Sequence, residues 1–398
     1  MKAHILSSLL CFLAVDNIPD KIPYSPYQPE LAMNIRHDSV LCQTSSECQR
    51  LAWELSFLGR FDDAENVWER TCIKTVRESV LPAFTNGGYK PTVAHNYIVS
   101  QATSNRVVMI NEAHHDPKHR VFTSGLLEQL YEQGFRYLGC EGLQTNDQEA
   151  LRKRGYPVFT SSGFYLKESQ YGNLIRKAIS LGFHVFGYDQ ISNENSGIES
   201  REELQARNIW NVIQQDSTAK VLIHAGWGHI REDSAGIPMM ARWFKQLSGI
   251  DPLTIDQTVM NDRFAPDCTD PVYKQVAPDL TEPSVFINDE MDIYRRTGVD
   301  IMVFHPPTVY WDGRPSWLYD NPGFHALPLE LPDSLHFPLL IRVYSAAELD
   351  NPYAVPVDVY TLLEPQESTD MFVPGKGEFV IVFTHGKEVL KLEHRRVQ

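Results

Sequence analysis

Glu112, His114, His115 and His119 fall within one stretch of eight residues. A carboxylate among imidazoles has two chemical uses. It holds a histidine in the orientation a general base needs, or it joins the imidazoles around a divalent metal. Further acids and imidazoles recur along the chain: Glu141 before Gly142, Asp189 after Tyr188, His224 and His229 on either side of Ala225-Gly226-Trp227-Gly228, and His305 before Pro306. Each follows a short apolar run, so the elements that position them come next.

The runs are Val107-Val108-Met109-Ile110, Tyr137-Leu138-Gly139-Cys140, His184-Val185-Phe186-Gly187-Tyr188, Val221-Leu222-Ile223 and Ile301-Met302-Val303-Phe304. Short β-rich runs separated by helical periodicity indicate a buried, mostly parallel sheet. In such sheets sites form at the carboxyl ends of the strands. The pattern predicts helices at Lys118–Gln133, Tyr171–Leu181, Ser200–Gln215 and Ile237–Leu247, a strand at Leu253–Ile255 and a short helix at Asp289–Thr297. Asp116-Pro117 reads as an N-cap followed by a first-turn proline, and Ser200 with Glu203 as a capping box. The fold class is therefore α/β, a three-layer core with a mostly parallel sheet. Residues 105–305 form that core and hold the site. Residues 16–104 read as a helical amino-terminal cap, with one stretch, Leu51 to Glu65, resembling part of a tetratricopeptide unit but having no second copy. Residues 306–398 are rich in proline, carry strand patterns at Leu339–Tyr344, Val355–Leu363 and Phe379–Phe383, and read as a β-rich module.

Common nucleotide and hydrolase motifs are missing. There is no Gly-x-Gly-x-x-Gly, no phosphate-binding Gly-x-x-x-x-Gly-Lys-Ser/Thr, no Gly-x-Ser-x-Gly and no His-Glu-x-x-His. Cys140 ends a strand and reads as a small buried apolar residue rather than a nucleophile. Arg201 and Arg207 lie on the helix before the fourth strand, where an inward arginine would hold carboxylates ionised or bind an anionic group.

Taken in order, Asn111-Glu112-Ala113-His114-His115, Glu141, the Arg201/Arg207 helix and Gly226-Trp227-Gly228-His229 resemble the motifs of one superfamily, which joins the erythromycin esterases, the ChaN-like haem-binding lipoproteins and the TraB/TIKI proteins. The resemblance covers roughly residues 100–260. Asn111 stands where that pattern has glycine. In the esterase-like register the key histidine is His115; in the ChaN-like register it is His114, and Pro117-x-His119 also matches. The resemblance implies the fold and a choice of hydrolase, metal-dependent protease or haem binder. The leading expectation is hydrolysis of an ester, lactone or amide in a small molecule or peptide. His115 would activate water and Glu112 would orient it. Glu141 and His229 would complete the pocket, and Arg207 would stabilise developing negative charge. A divalent metal held by Glu112, His115, Glu141 and His229 would replace part of that machinery. Asp189, His224 and His305 are secondary pocket candidates. The alternative is a haem- or metal-binding protein of the iron-uptake type, without catalysis, using His114 or His119 as ligand.

A chain of 398 residues with 42% hydrophobic and 22% charged residues can bury a large core. Its formal charge of −15 opposes a nucleic-acid or anionic-membrane partner. Lys2 followed by the apolar run Ile5–Val15 has signal-peptide form and is too short to span a membrane, so residues 1–15 are expected to direct export to the periplasm or cell surface. Cys42 and Cys48 bracket a polar turn with the spacing of a small-loop disulfide, which suits an oxidising compartment.

Overall fold

The computed structural model describes residues 27, 42–70, 81–189, 198–233, 236–331 and 335–398, with the backbone alone at 198–200. The expected signal segment lies outside them. Eight strands form one sheet: β1 (Lys90–Val93), β2 (Val107–Glu112), β3 (Phe135–Cys140), β4 (His184–Gly187), β5 (Lys220–Gly226), β6 (Leu253–Met260), β7 (Ser284–Ile287) and β8 (Ile301–Phe304), in the spatial order β1-β7-β8-β6-β2-β5-β3-β4. The six strands from β8 to β4 run parallel, and β7 and β1 close one edge antiparallel.

Alternation along each strand divides the core into two halves. Val108, Ile110, Leu138, Val185, Leu222 and Ile255 face the helices Ala94–Ala102, Lys118–Glu132 and Ser169–Leu181. Val107, Met109, Val221, Ile223 and Phe186 face Ile198–Gln215 and Met240–Ser248. Both faces of β2 are buried along its whole length, as a central parallel strand requires. The result is the three-layer α/β core that the periodicity implies.

Three local expectations change. Residues 90–102 belong to the core rather than to a cap: β1 pairs with β7, with Pro91 on the sheet edge where its missing N–H is tolerated, and Ala94, Ile98 and Ala102 pack into the sheet. Asp289–Thr297 is not helical. Asn288 Oδ1 accepts the N–H groups of Glu290 and Asp292, and the chain folds back so that Ile293 bridges Ile287. The Ser200/Glu203 capping box fails because the helix already begins at Ile198.

Two helices, Ser45–Phe57 and Phe61–Glu69, pack as an antiparallel pair joined to the Cys42–Cys48 disulfide. Their apolar faces meet Leu340, Val359 and Leu363 of the carboxyl-terminal part. That part is a β-sandwich. β11 (Phe324–Glu330) pairs with β14 (Ser368–Pro374). The facing sheet is β13 (Asp358–Leu362), β12 (Leu339–Ser345), β15 (Gly377–His385) and β16 (Glu388–Val397). The short pair β9 (Tyr310–Trp311) and β10 (Arg314–Pro315) leads into it. Among the described residues no helix is long and apolar enough to cross a membrane.

Candidate active site

β2, β5 and β3 lie side by side, so their carboxyl ends bring Glu112, the Gly226–His229 turn and Glu141 to one place. Glu112 is 1% exposed and has four hydrogen-bond donors. Arg120 Nε donates to Oε2 at 2.6 Å and Arg120 Nη2 to Oε1 at 2.7 Å. His224 Nε2–H donates to Oε2 at 2.8 Å. His114 Nδ1–H donates to Oε1 at 2.7 Å. Burial alone would raise this carboxyl's pKa, but Arg120 and His224 hold it well below the usual range. An ionised Glu112 accepts only, which puts a proton of His114 on Nδ1.

The helix Lys118–Glu132 positions Arg120. The guanidinium is fully buried, also donates to Glu168 at 2.9 Å and to the His114 carbonyl at 3.1 Å, and lies 4.7 Å from the Tyr171 ring centre. Glu168 in turn caps the helix Ser169–Leu181 by accepting the Tyr171 N–H at 2.8 Å. The Glu112–His114 pair is thus fixed through a chain that ends in two helices. The His114 ring stacks on Tyr165, with centres 3.9 Å apart, and meets the edge of Trp53 at 6.0 Å.

Opposite His114, Glu141 Oε1 accepts from Arg201 Nη2 at 2.9 Å and lies 3.3 Å from His229 Nε2, while its Oε2 accepts the Gly226 N–H. A Cβ on Gly226 would come within 2.5 Å of His114 Nε2 and 3.0 Å of Glu141 Oε2. Only glycine lets these two groups share one side of the strand end. Burial opposes charge on Glu141, yet His229 and Arg201 keep it ionised far below the ordinary value.

His229 lies between two acids, with Nδ1 2.8 Å from Glu202 Oε2 and Nε2 facing Glu141. Burial would lower its pKa, but Glu141 and Glu202 raise it to about 10. It is therefore an imidazolium at neutral pH, and both ring nitrogens donate. Arg201 Nη1, 3.4 Å from His229 Nε2, meets another donor there and makes no hydrogen bond. The Arg201 side chain is 31% exposed, and its Nε and Nη2 clamp Asp189 at 3.1 and 2.7 Å.

This geometry predicts a pH dependence of stability. Unfolded, His229 releases its proton near the ordinary 6.5; folded, near 10. Its contribution is complete below the first value and is lost as pH rises through the second. Urea midpoints should fall between about pH 7 and 10, and His229→Gln should flatten that slope. A slope unchanged by the substitution would show that His229 is not the ionising group.

The structure separates the other sequence candidates. His115 turns away from Glu112: its Nε2–H donates to Glu65 at 2.7 Å and its ring stacks on Trp68. Adjacent residues in this turn point to opposite sides, so His114 lies beside Gly226 and Tyr165 and His115 beside Glu65 and Trp68. Arg207 is 53% exposed and pairs with Glu203 one helical turn away, whereas Arg201 reaches Glu141 and Asp189. The buried face Ala206, Ile209 and Ile213, projected back one turn, meets Glu202 and leaves Arg207 outside, a signal already present in the sequence. His119 accepts the Ala113 N–H at Nδ1 and lies 3.3 Å from the Asn261 amide at Nε2; burial lowers its pKa to about 4. With one nitrogen spent on the backbone and the ring 1% exposed, it is unsuited to ligate haem. His305 Nε2 contacts Gln257 at 3.2 Å and is structural. His224 and Asp189 do belong to the site, as partners of Glu112 and Arg201. Glu168 and Glu202 carry no motif and emerge only from the fold. Burial pushes the Cys140 thiol pKa up, which removes it as a nucleophile.

A resident metal does not fit this arrangement. All four donors of Glu112 come from protein, and Glu141 is engaged on both oxygens. Among the described residues no group of three or more His, Cys, Asp or Glu is arranged to hold a metal.

No protein-family model matches the chain, and no curated protein matches it. Among solved structures it is similar to the type III effector HopBA1, at 14% identity and a TM-score of 0.36, over 55% of this chain and 97% of that one. It is also similar to RRSP, a MARTX toxin effector domain from Vibrio vulnificus, at 14% identity and a TM-score of 0.30, over 58% of this chain and 55% of that one. A third similarity is to Pasteurella multocida toxin, at 10% identity and a TM-score of 0.30, over 54% of this chain and 30% of that one.

Proposed function

We propose that the protein hydrolyses an ester, lactone or amide bond, with water as the nucleophile. The observation that carries this reading is the Glu112–His114 pair: a buried, ionised carboxylate holds a proton on Nδ1, so the base of this scheme is Nε2, at the shared strand ends. His114 Nε2 takes the proton of water as oxygen adds to the carbonyl carbon. The carbonyl oxygen gains negative charge, which Arg201 Nη1 stabilises. Collapse of the tetrahedral species expels the alkoxide or amine, and the proton held on His114 passes to it. Arg120 and Arg201 supply the positive charge in this scheme, which suits a site whose carboxylates have no oxygen to spare for a metal. The order of Glu112-x-His114, Glu141 and Gly226-x-x-His229 supports membership in the erythromycin esterase, ChaN and TraB/TIKI superfamily, in the register that uses His114.

The test is a panel of ester, lactone and amide substrates with protein purified without chelator, together with metal analysis and a visible spectrum. Turnover by colourless, metal-free protein is the expected result. A Soret band, or activity that disappears with a stripped metal, would overturn the reading in favour of a haem or metal protein.

A further inference from the structure

His114 and His229 stand on separate turns, after β2 and β5. Asn111 Nδ2 ties the backbones of the two, donating to the Trp227 carbonyl at 2.8 Å. The side chains beyond that bond are held from the other direction, by the amino-terminal helix Phe61–Glu69. Its Trp68 ring lies 4.2 Å from the His115 ring, at 12° between planes, and 4.8 Å from the Trp227 ring, at 10°. His115 and Trp227 are themselves 5.9 Å apart. One indole therefore covers the neighbour of His114 and the second residue before His229. Glu65, one turn earlier on the same helix, accepts the His115 Nε2–H at 2.7 Å.

The contact has something to hold. Trp227 has φ 43°, a left-handed conformation that is unfavourable for a residue with a Cβ and persists only when its surroundings impose it. The helix is anchored well enough to impose it. Glu69 accepts the N–H groups of Phe264 and Ala265 at its far end, and Ala64 and Val67 pack with Leu340 and Val359.

We infer that Glu65 and Trp68 are positioning residues: from the amino-terminal helix they lock the His114 turn and the His229 turn in one relative geometry. The effect on turnover rests on the hydrolytic reading above; the geometry does not. The full-length chain with labelled histidines gives a readout independent of activity, the low-field Nδ1–H resonances of His114 against Glu112 and of His229 against Glu202. In Trp68→Ala both should broaden or vanish, and kcat should fall roughly 10- to 100-fold with KM little changed, the scale of a small misplacement of reacting groups. Trp68→Phe, which keeps a stacking ring, should restore both resonances and most of the rate. Glu65→Gln should disturb the His114 resonance more than that of His229. A folded Trp68→Ala protein with both resonances and full turnover overturns the inference. If that variant does not fold, an undisturbed His114 resonance in Glu65→Gln overturns it instead. If the wild type turns over no substrate, the hydrolytic reading fails, and the resonances still judge the clamp.

Discussion

His114→Ala should lower turnover by roughly a hundred- to ten-thousand-fold, the usual consequence of removing a general base. KM should change little, because the imidazole acts on the proton lost as the transition state forms, not on the bound ground state. The neighbouring substitution is the control. His115 binds Glu65 beneath Trp68, so His115→Ala should cost no more than the misplacement expected of the clamp. Steady-state kinetics on both variants, each checked for cooperative unfolding, separate the two registers of the first motif. Full activity in His114→Ala with loss confined to His115→Ala would refute the assignment.

The largest expected effect on stability is at Arg120. Its guanidinium satisfies both oxygens of Glu112, one of Glu168 and the His114 carbonyl, all out of water. Arg120→Ala leaves two carboxylates buried without their cation. Removing one partner of a buried ionic group typically costs about 3–5 kcal/mol, far more than an exposed pair such as Arg207 with Glu203, which is worth at most about 1 kcal/mol. Urea unfolding of Arg120→Ala and Arg207→Ala compares the two directly. The Arg120 variant should also lose turnover, since a carboxyl that takes up a proton no longer dictates the His114 tautomer. A loss below about 1 kcal/mol at Arg120 would mean that the pocket relaxes by admitting water, and that Glu112 is not held as tightly as its four donors imply.

What the residues alone determined follows from periodicity. A strand buried on both faces must be apolar along its length, and a helix packed on one side must repeat its apolar positions every three or four residues. Val107–Ile110, Val221–Ile223 and Ile301–Phe304, alternating with helices, therefore specify a parallel sheet, and a parallel sheet places its polar residues at the strand ends. Glu112, Glu141, Asp189, His224 and His229 were legible on that ground. The Cys42–Cys48 bridge was legible too, because the two cysteines bracket a short polar turn.

Tertiary structure decided the rest, for two physical reasons. Side-chain direction in an irregular turn is set by what packs against it, so nothing local distinguishes His114 from His115; Tyr165 claims one ring and Trp68 the other. Charge at a buried site is balanced across long separations in sequence. Arg120 meets Glu168 because their two helices pack side by side on one face of the sheet, and His229 meets Glu202 because the helix Ile198–Gln215 packs on the other. Neither pair has a spacing that a motif can record. The contribution of the amino-terminal helices to the site is of the same kind, since Trp68 reaches Trp227 through the fold and not along the chain.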